Sequence, residues 1–139
     1  MLSALAERGW VTQVQCPAAL LPDLAAPLAA AARGPLVFDH LGWPDVRAGV
    51  DEPGFRRLLA FGEAGAFVKL SGAFRLSREP YPHQDLDPCV AALRDSFGPE
   101  RRLWGSDWPC VAVERRPTYA ETLALRDRFR CVVPDHIGC

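Results

Sequence analysis

Leu103-Trp104-Gly105-Ser106-Asp107-Trp108-Pro109 is an apolar run that stops at a glycine and then presents an aspartate between polar and aromatic neighbours. Phe38-Asp39-His40-Leu41-Gly42 and Val68-Lys69-Leu70-Ser71-Gly72 share that build: an apolar run, then polar side chains, then glycine. Short apolar runs bounded by glycine and proline read as buried strands. Each phrase therefore sets polar chemistry where a strand gives way to a loop.

Outward from these phrases the chain alternates. Met1 to Arg8 reads as the end of a helix, and Trp10 to Gln15 as the first strand. Pro22 to Ala32 is a predicted helix, with Pro27 as a break or restart. Leu36 to Phe38 is the second strand. Asp51 is the expected cap of the next helix, with Pro53 in its first turn and Phe55, Leu58 and Leu59 on one face. Ala66 to Leu70 is the third strand, followed by a polar loop from Arg75 to Asp85. Asp87-Pro88 repeats the cap-then-proline signal, and Arg102 to Trp104 is the fourth strand. Thr118 and Glu121 form a capping-box pair opening a helix that runs to about Phe129.

The strands are apolar throughout instead of alternating, as in a parallel sheet covered on both faces. The spacing of successive strands fits βαβ units. The fold class is therefore α/β. In a (β/α) barrel, catalytic groups sit at the C-terminal ends of strands, where the three phrases fall.

The chain has 139 residues, enough for one domain with a real core. It is short of the roughly 250 residues of a whole eight-unit barrel. Apolar residues make up 49 %, which argues against disorder. With 16 basic and 17 acidic residues and no basic block, nucleic acid is not an expected partner. No stretch approaches the roughly 20 apolar residues of a membrane span, and the N-terminus lacks a signal-peptide core. The expected location is the cytoplasm. Five cysteines with wide spacings and no Cys-x-x-Cys pair point to free thiols, not a disulfide framework or a four-cysteine zinc site. The absence of Gly-x-Gly-x-x-Gly and of a Walker lysine leaves dinucleotide binding without support.

Taken together, Asp-His-Leu-Gly at 39–42, Lys-Leu-Ser-Gly-Ala-Phe-Arg at 69–75 and Gly-Ser-Asp-Trp-Pro at 105–109 give the chain a resemblance to the amidohydrolase-related family of TIM-barrel hydrolases. The dicarboxylate and sugar lactonases are the flavour it is most similar to. The resemblance implies a partial barrel whose four parallel strands match strands five to eight, truncated at the N-terminus. The family's first strand normally carries a His-x-His pair, and none occurs here. The expectation is thus a fragment: residues 1–130 as the C-terminal half of the barrel, and 131–139 as a divergent tail. Half a barrel would leave two sheet edges open, which predicts a second copy or a complementary barrel half as partner.

The resemblance also implies roles. Asp107 matches the general base that activates water. His40 matches an active-site histidine able to polarise a lactone carbonyl. Arg75 matches an arginine that clamps an anionic group, and Ser71 lies at the same rim. His83, in the Pro80-Tyr81-Pro82-His83 loop, lines the substrate mouth on this reading, against the alternative of a plain surface-loop histidine. Asp39 and Lys69 read as structural ionic groups. Cys110 stands where many relatives have histidine. The expected activity is hydrolysis of an anionic or sugar-derived lactone. The alternatives are a non-catalytic fragment or assembly partner, or a decarboxylase of the same superfamily. No cofactor and no metal site are expected, although full-length relatives include users of zinc.

Overall fold

The computed structural model describes residues 2–31 and 34–131. The described chain runs α1 (Leu2–Glu7), β1 (Thr12–Val14), α2 (Leu21–Ala31), β2 (Leu36–Phe38), α3 (Pro53–Glu63), β3 (Phe67–Lys69), α4 (Ala73–Leu76), α5 (Asp87–Ser96), β4 (Arg102–Leu103) and α6 (Tyr119–Phe129). The strands form one parallel sheet in sequence order, β1-β2-β3-β4. Val14 pairs with Phe38, Phe38 with Val68, and Val68 with Arg102. This is the small parallel sheet of a partial (β/α) barrel. The outer edges of β1 and β4 have no strand partner among the described residues. Among those residues, no helix is long and apolar enough to cross a membrane.

The core lies between the sheet and its helices. Leu36, Phe38 and Val68 from the strands meet Phe55, Leu58, Leu93, Leu125 and Phe129 from the helices. Phe38 packs on Phe61 of α3 with ring centroids 5.2 Å apart. Gly62 of α3 allows Phe97 to close over it, since a Cβ there would lie 2.5 Å from the Phe97 ring.

Side chains alternate across a strand. With Phe38 and Val68 turned to the helices, Asp39 and Lys69 fall on the opposite face. There Lys69 Nζ donates to Gln13 Oε1 at 2.7 Å and lies 3.0 Å from Asp39 Oδ1. The second contact is ionic, because Asp39 Oδ1 takes part in no hydrogen bond.

Several local expectations are corrected. Pro27 lies inside α2 and does not interrupt it. A proline removes one backbone donor, and the remaining turns of this helix tolerate the loss. The cap of α3 is Glu52, whose carboxylate accepts from Phe55 N at 2.7 Å; Asp51 pairs with Arg56 on the surface instead. Asp87 is the first residue of α5, which starts directly from a 3₁₀ turn at Gln84–Leu86. The segment read as a loop after β3 opens with the single turn α4. Thr118 and Glu121 form the full reciprocal capping box, as the sequence predicts.

Candidate active site

The site is assembled from the three strand ends. After β2 the chain turns sharply through a 3₁₀ turn at His40–Gly42. His40, Leu41 and Trp43 take φ of 51°, 55° and 53°, a left-handed region that costs non-glycine residues energy. This turn tucks the His40 ring beneath the segment that follows β3. Ser71 Oγ and His40 Nδ1 share a hydrogen bond of 3.1 Å. Gly72, at φ 65°, presses its backbone against the ring: a Cβ there would sit 2.6 Å from Nδ1. Trp43 closes the remaining side edge-on, with ring centroids 5.5 Å apart. His40 is thus held on three sides.

Asp107 follows β4 with φ 59°. Its Oδ1 lies 3.8 Å from His40 Nε2. Its Oδ2 accepts from Arg75 Nε in a short ion pair. Arg75 also donates from Nη1 to the Val111 carbonyl at 3.0 Å, tying its guanidinium to the loop after Asp107. The Arg75 and Asp107 side chains are 14 % and 17 % exposed, so solvent screens their attraction weakly.

Burial is the main cause holding the His40 imidazole below its usual value of 6.5. Asp107 and Asp39 oppose that shift, and Arg75 and Lys69 reinforce it. His40 is therefore neutral near pH 7. The carboxylate across from Nε2 favours the tautomer with its proton on Nε2, leaving Nδ1 to accept from the Ser71 hydroxyl. The cluster then offers an N–H donor, a carboxylate oxygen with spare lone pairs, and guanidinium N–H groups beyond the two used.

His40, Ser71, Arg75 and Asp107 come together as one cluster. His83 does not join it. It is buried in a cavity of about 230 Å³ with Phe74, Pro80, Tyr81, Arg115 and Glu121. Its Nδ1 hydrogen-bonds to the Glu79 carbonyl at 3.0 Å, so its proton is used within its own loop. Cys110 is buried behind the Asp107 turn, where burial raises its thiol above the usual value. The contribution of Gly72 escaped sequence reasoning. The Ser-Gly dipeptide after a strand was the available signal, but only the fold shows that it meets His40.

The comparisons bear on the whole of this arrangement. The family model described as Amidohydrolase matches residues 1–135. The chain is 36 % identical over 106 residues to a 4-sulfomuconolactone hydrolase of Rhizobium radiobacter, covering 73 % of this chain and 35 % of that protein. A protein from Pseudomonas putida assigned as a 2-pyrone-4,6-dicarboxylic acid hydrolase superposes with a TM-score of 0.77 at 32 % identity, over 95 % of this chain and 49 % of that one. An amidohydrolase from Burkholderia multivorans, solved with bound zinc, superposes at 0.73 and 29 % identity, over 92 % of this chain and 47 % of that one. The chain spans about half the length of these solved structures and about a third of the curated relative.

The family match over residues 1–135 corrects the expectation of a C-terminal half only. The match begins at residue 1, and α1 aligns with the family along with the rest. The label of fragment, drawn from the same reading, is not carried over: nearly the whole chain aligns to the family, over about half the length of the solved structures it matches. That expectation leaned on a missing His-x-His pair, and one absent motif does not limit how much of a chain aligns. Of residues 131–139, read as a divergent tail, 132–139 lie outside the described residues.

Zinc in a relative raises the question of fit. Among the described residues, no group of three His, Cys, Asp or Glu side chains converges as a metal site. His40 and Asp107 are two, and one Asp107 oxygen is already held by Arg75. Catalytic zinc sites use three protein ligands. The described residues do not fit such an ion by themselves, and no step below runs through one.

Proposed function

The chain belongs to the amidohydrolase family, and from that premise we propose that it acts in the hydrolysis of a small lactone, with Asp107 activating the water. The observation that carries this reading is the position of Asp107, with one carboxylate oxygen on Arg75 and the other facing His40 Nε2.

In this reaction a water oxygen attacks the lactone carbonyl carbon while its proton passes to Asp107 Oδ1. The carbonyl oxygen gains charge, and His40 Nε2–H donates to it. The tetrahedral intermediate collapses, the ring C–O bond breaks, and the released alkoxide takes up the proton. The ring opens to a hydroxy acid. Arg75 holds Asp107 in orientation through its Nε. Its remaining N–H groups are suited to an anionic substituent of the substrate. Ser71 fixes the His40 tautomer.

Relatives named for 4-sulfomuconolactone and 2-pyrone-4,6-dicarboxylate support an anionic lactone as the substrate class. The test is ring opening followed by proton release in weakly buffered solution, with 4-sulfomuconolactone, 2-pyrone-4,6-dicarboxylate and a neutral sugar lactone compared. Turnover of an anionic lactone that falls at least about a hundredfold in His40→Gln supports the proposal. Turnover that is indifferent to His40 removes it.

A further inference from the structure

The cavity of about 230 Å³ beside His83 is not used by the reaction above. Its walls are apolar: Phe74 of α4, Pro80 and Tyr81 of the next loop, Pro117 ahead of α6, and Leu125 within α6. None of His40, Ser71, Arg75 and Asp107 lines it. Phe74 also carries the Arg75 guanidinium, 5.1 Å from its ring centroid, so the cavity adjoins the catalytic cluster without being part of it.

The polar part of the lining is His83, Arg115 and Glu121. Arg115 Nη2 donates to Glu121 Oε1 at 3.1 Å, and Glu121 Oε2 accepts from Thr118 N at 2.7 Å. The two charges therefore offset each other, and both carboxylate oxygens are occupied. His83 is what remains. It is 8 % exposed, and its φ of 62° is a left-handed conformation that costs a non-glycine residue energy. Its Nδ1 donates to the Glu79 carbonyl at 3.0 Å, because a carbonyl oxygen only accepts. In the neutral ring Nε2 then carries a lone pair, and it makes no hydrogen bond with a described residue. Tyr81 stands edge-on to this ring, with centroids 6.2 Å apart.

We propose that this cavity is a second binding site, for a neutral single-ring phenol whose hydroxyl donates to His83 Nε2. The apolar walls suit a flat hydrocarbon body. The volume limits the ligand to about one ring, since an apolar cavity of about 150 Å³ takes up benzene. A ring held between Phe74 and Tyr81 would meet aromatic faces and edges on both sides. The lone acceptor calls for one donor on the ligand, and the balanced Arg115–Glu121 pair gives no preference for a charged one. The site does not depend on the lactone chemistry proposed for Asp107.

The experiment titrates the full chain with phenol, anisole and benzoate at about pH 8, where an ordinary imidazole is neutral, reading the imidazole resonances. Phenol should bind saturably and shift the His83 resonance. Anisole, which has the same ring and no donor, should bind about two- to tenfold more weakly, the worth of one neutral hydrogen bond. Benzoate should bind more weakly than phenol. The difference between phenol and anisole should vanish in His83→Asn, a substitution chosen because asparagine tolerates the left-handed conformation. His40→Gln should leave phenol binding unchanged. If His83→Asn fails to fold, the comparison of phenol with anisole on the wild type decides alone. A response that never saturates, equal binding of phenol and anisole, or loss of phenol binding in His40→Gln overturns the proposal.

Discussion

Arg75 and Asp107 form a mostly buried ion pair across 32 residues of sequence, joining the turn after β3 to the turn after β4. The pair fixes the carboxylate from behind and leaves its other oxygen facing His40. Removing the guanidinium leaves a buried carboxylate without its cation. Arg75→Met should destabilise the fold by about 3 to 5 kcal/mol, the range for breaking one side of a buried pair. Urea unfolding measures it. A loss within 0.5 kcal/mol, the ordinary range for surface changes, would mean the pair is solvated in solution.

Gly72→Ala should displace His40. The added methyl meets Nδ1 at 2.6 Å, and φ of 65° is unfavourable for alanine. A cost of about 1 to 3 kcal/mol is expected from the strained backbone, together with a changed imidazole resonance for His40. An unaltered resonance would show that the ring does not rest on this backbone.

The His40 imidazole makes stability depend on pH with a defined sign. Its folded pKa lies below 6.5, chiefly through burial. As pH falls past 6.5 the unfolded chain takes up the proton first. The stability contributed by neutral His40 is therefore full above that value and is lost as pH falls towards the folded pKa. The melting midpoint should drop more between about pH 7 and pH 5 in the wild type than in His40→Gln. Parallel curves for the two proteins would contradict the burial argument.

Thr118→Ala removes the hydroxyl that accepts from Glu121 N at 3.2 Å, and with it one half of the reciprocal cap. The expected cost is about 1 kcal/mol. Denaturant titration would measure it, and a neutral result would mean that solvent replaces the cap without loss.

The sequence made some of this legible and not the rest, for identifiable reasons. Leu36–Phe38 was readable as a buried strand because three apolar residues follow Gly34-Pro35 and stop at Asp39. Thr118 and Glu121 were readable because a capping box is local. The conformation of His40 was not. Strand alternation carried past Phe38 gives a side-chain direction, but the left-handed turn at His40–Leu41 breaks that parity. The surroundings of His83 were not legible for a related reason: its loop folds on itself, with the ring Nδ1 bonded to the Glu79 carbonyl. The Arg75 contact was half legible. The family resemblance suggested a clamp for a substrate anion, and the structure shows the guanidinium holding Asp107 as well. Sequence spacing cannot tell an internal carboxylate from an external one.

The most direct test of the central claim compares wild type and Asp107→Asn for kcat/KM on the lactone that the wild type opens fastest. The substitution keeps the shape of the side chain and removes its basicity. A fall of about 10² to 10⁴, the usual worth of a positioned general base, is the predicted result. Asp107→Asn that keeps its fold and hydrolyses the lactone within a factor of about two of wild type would contradict the account.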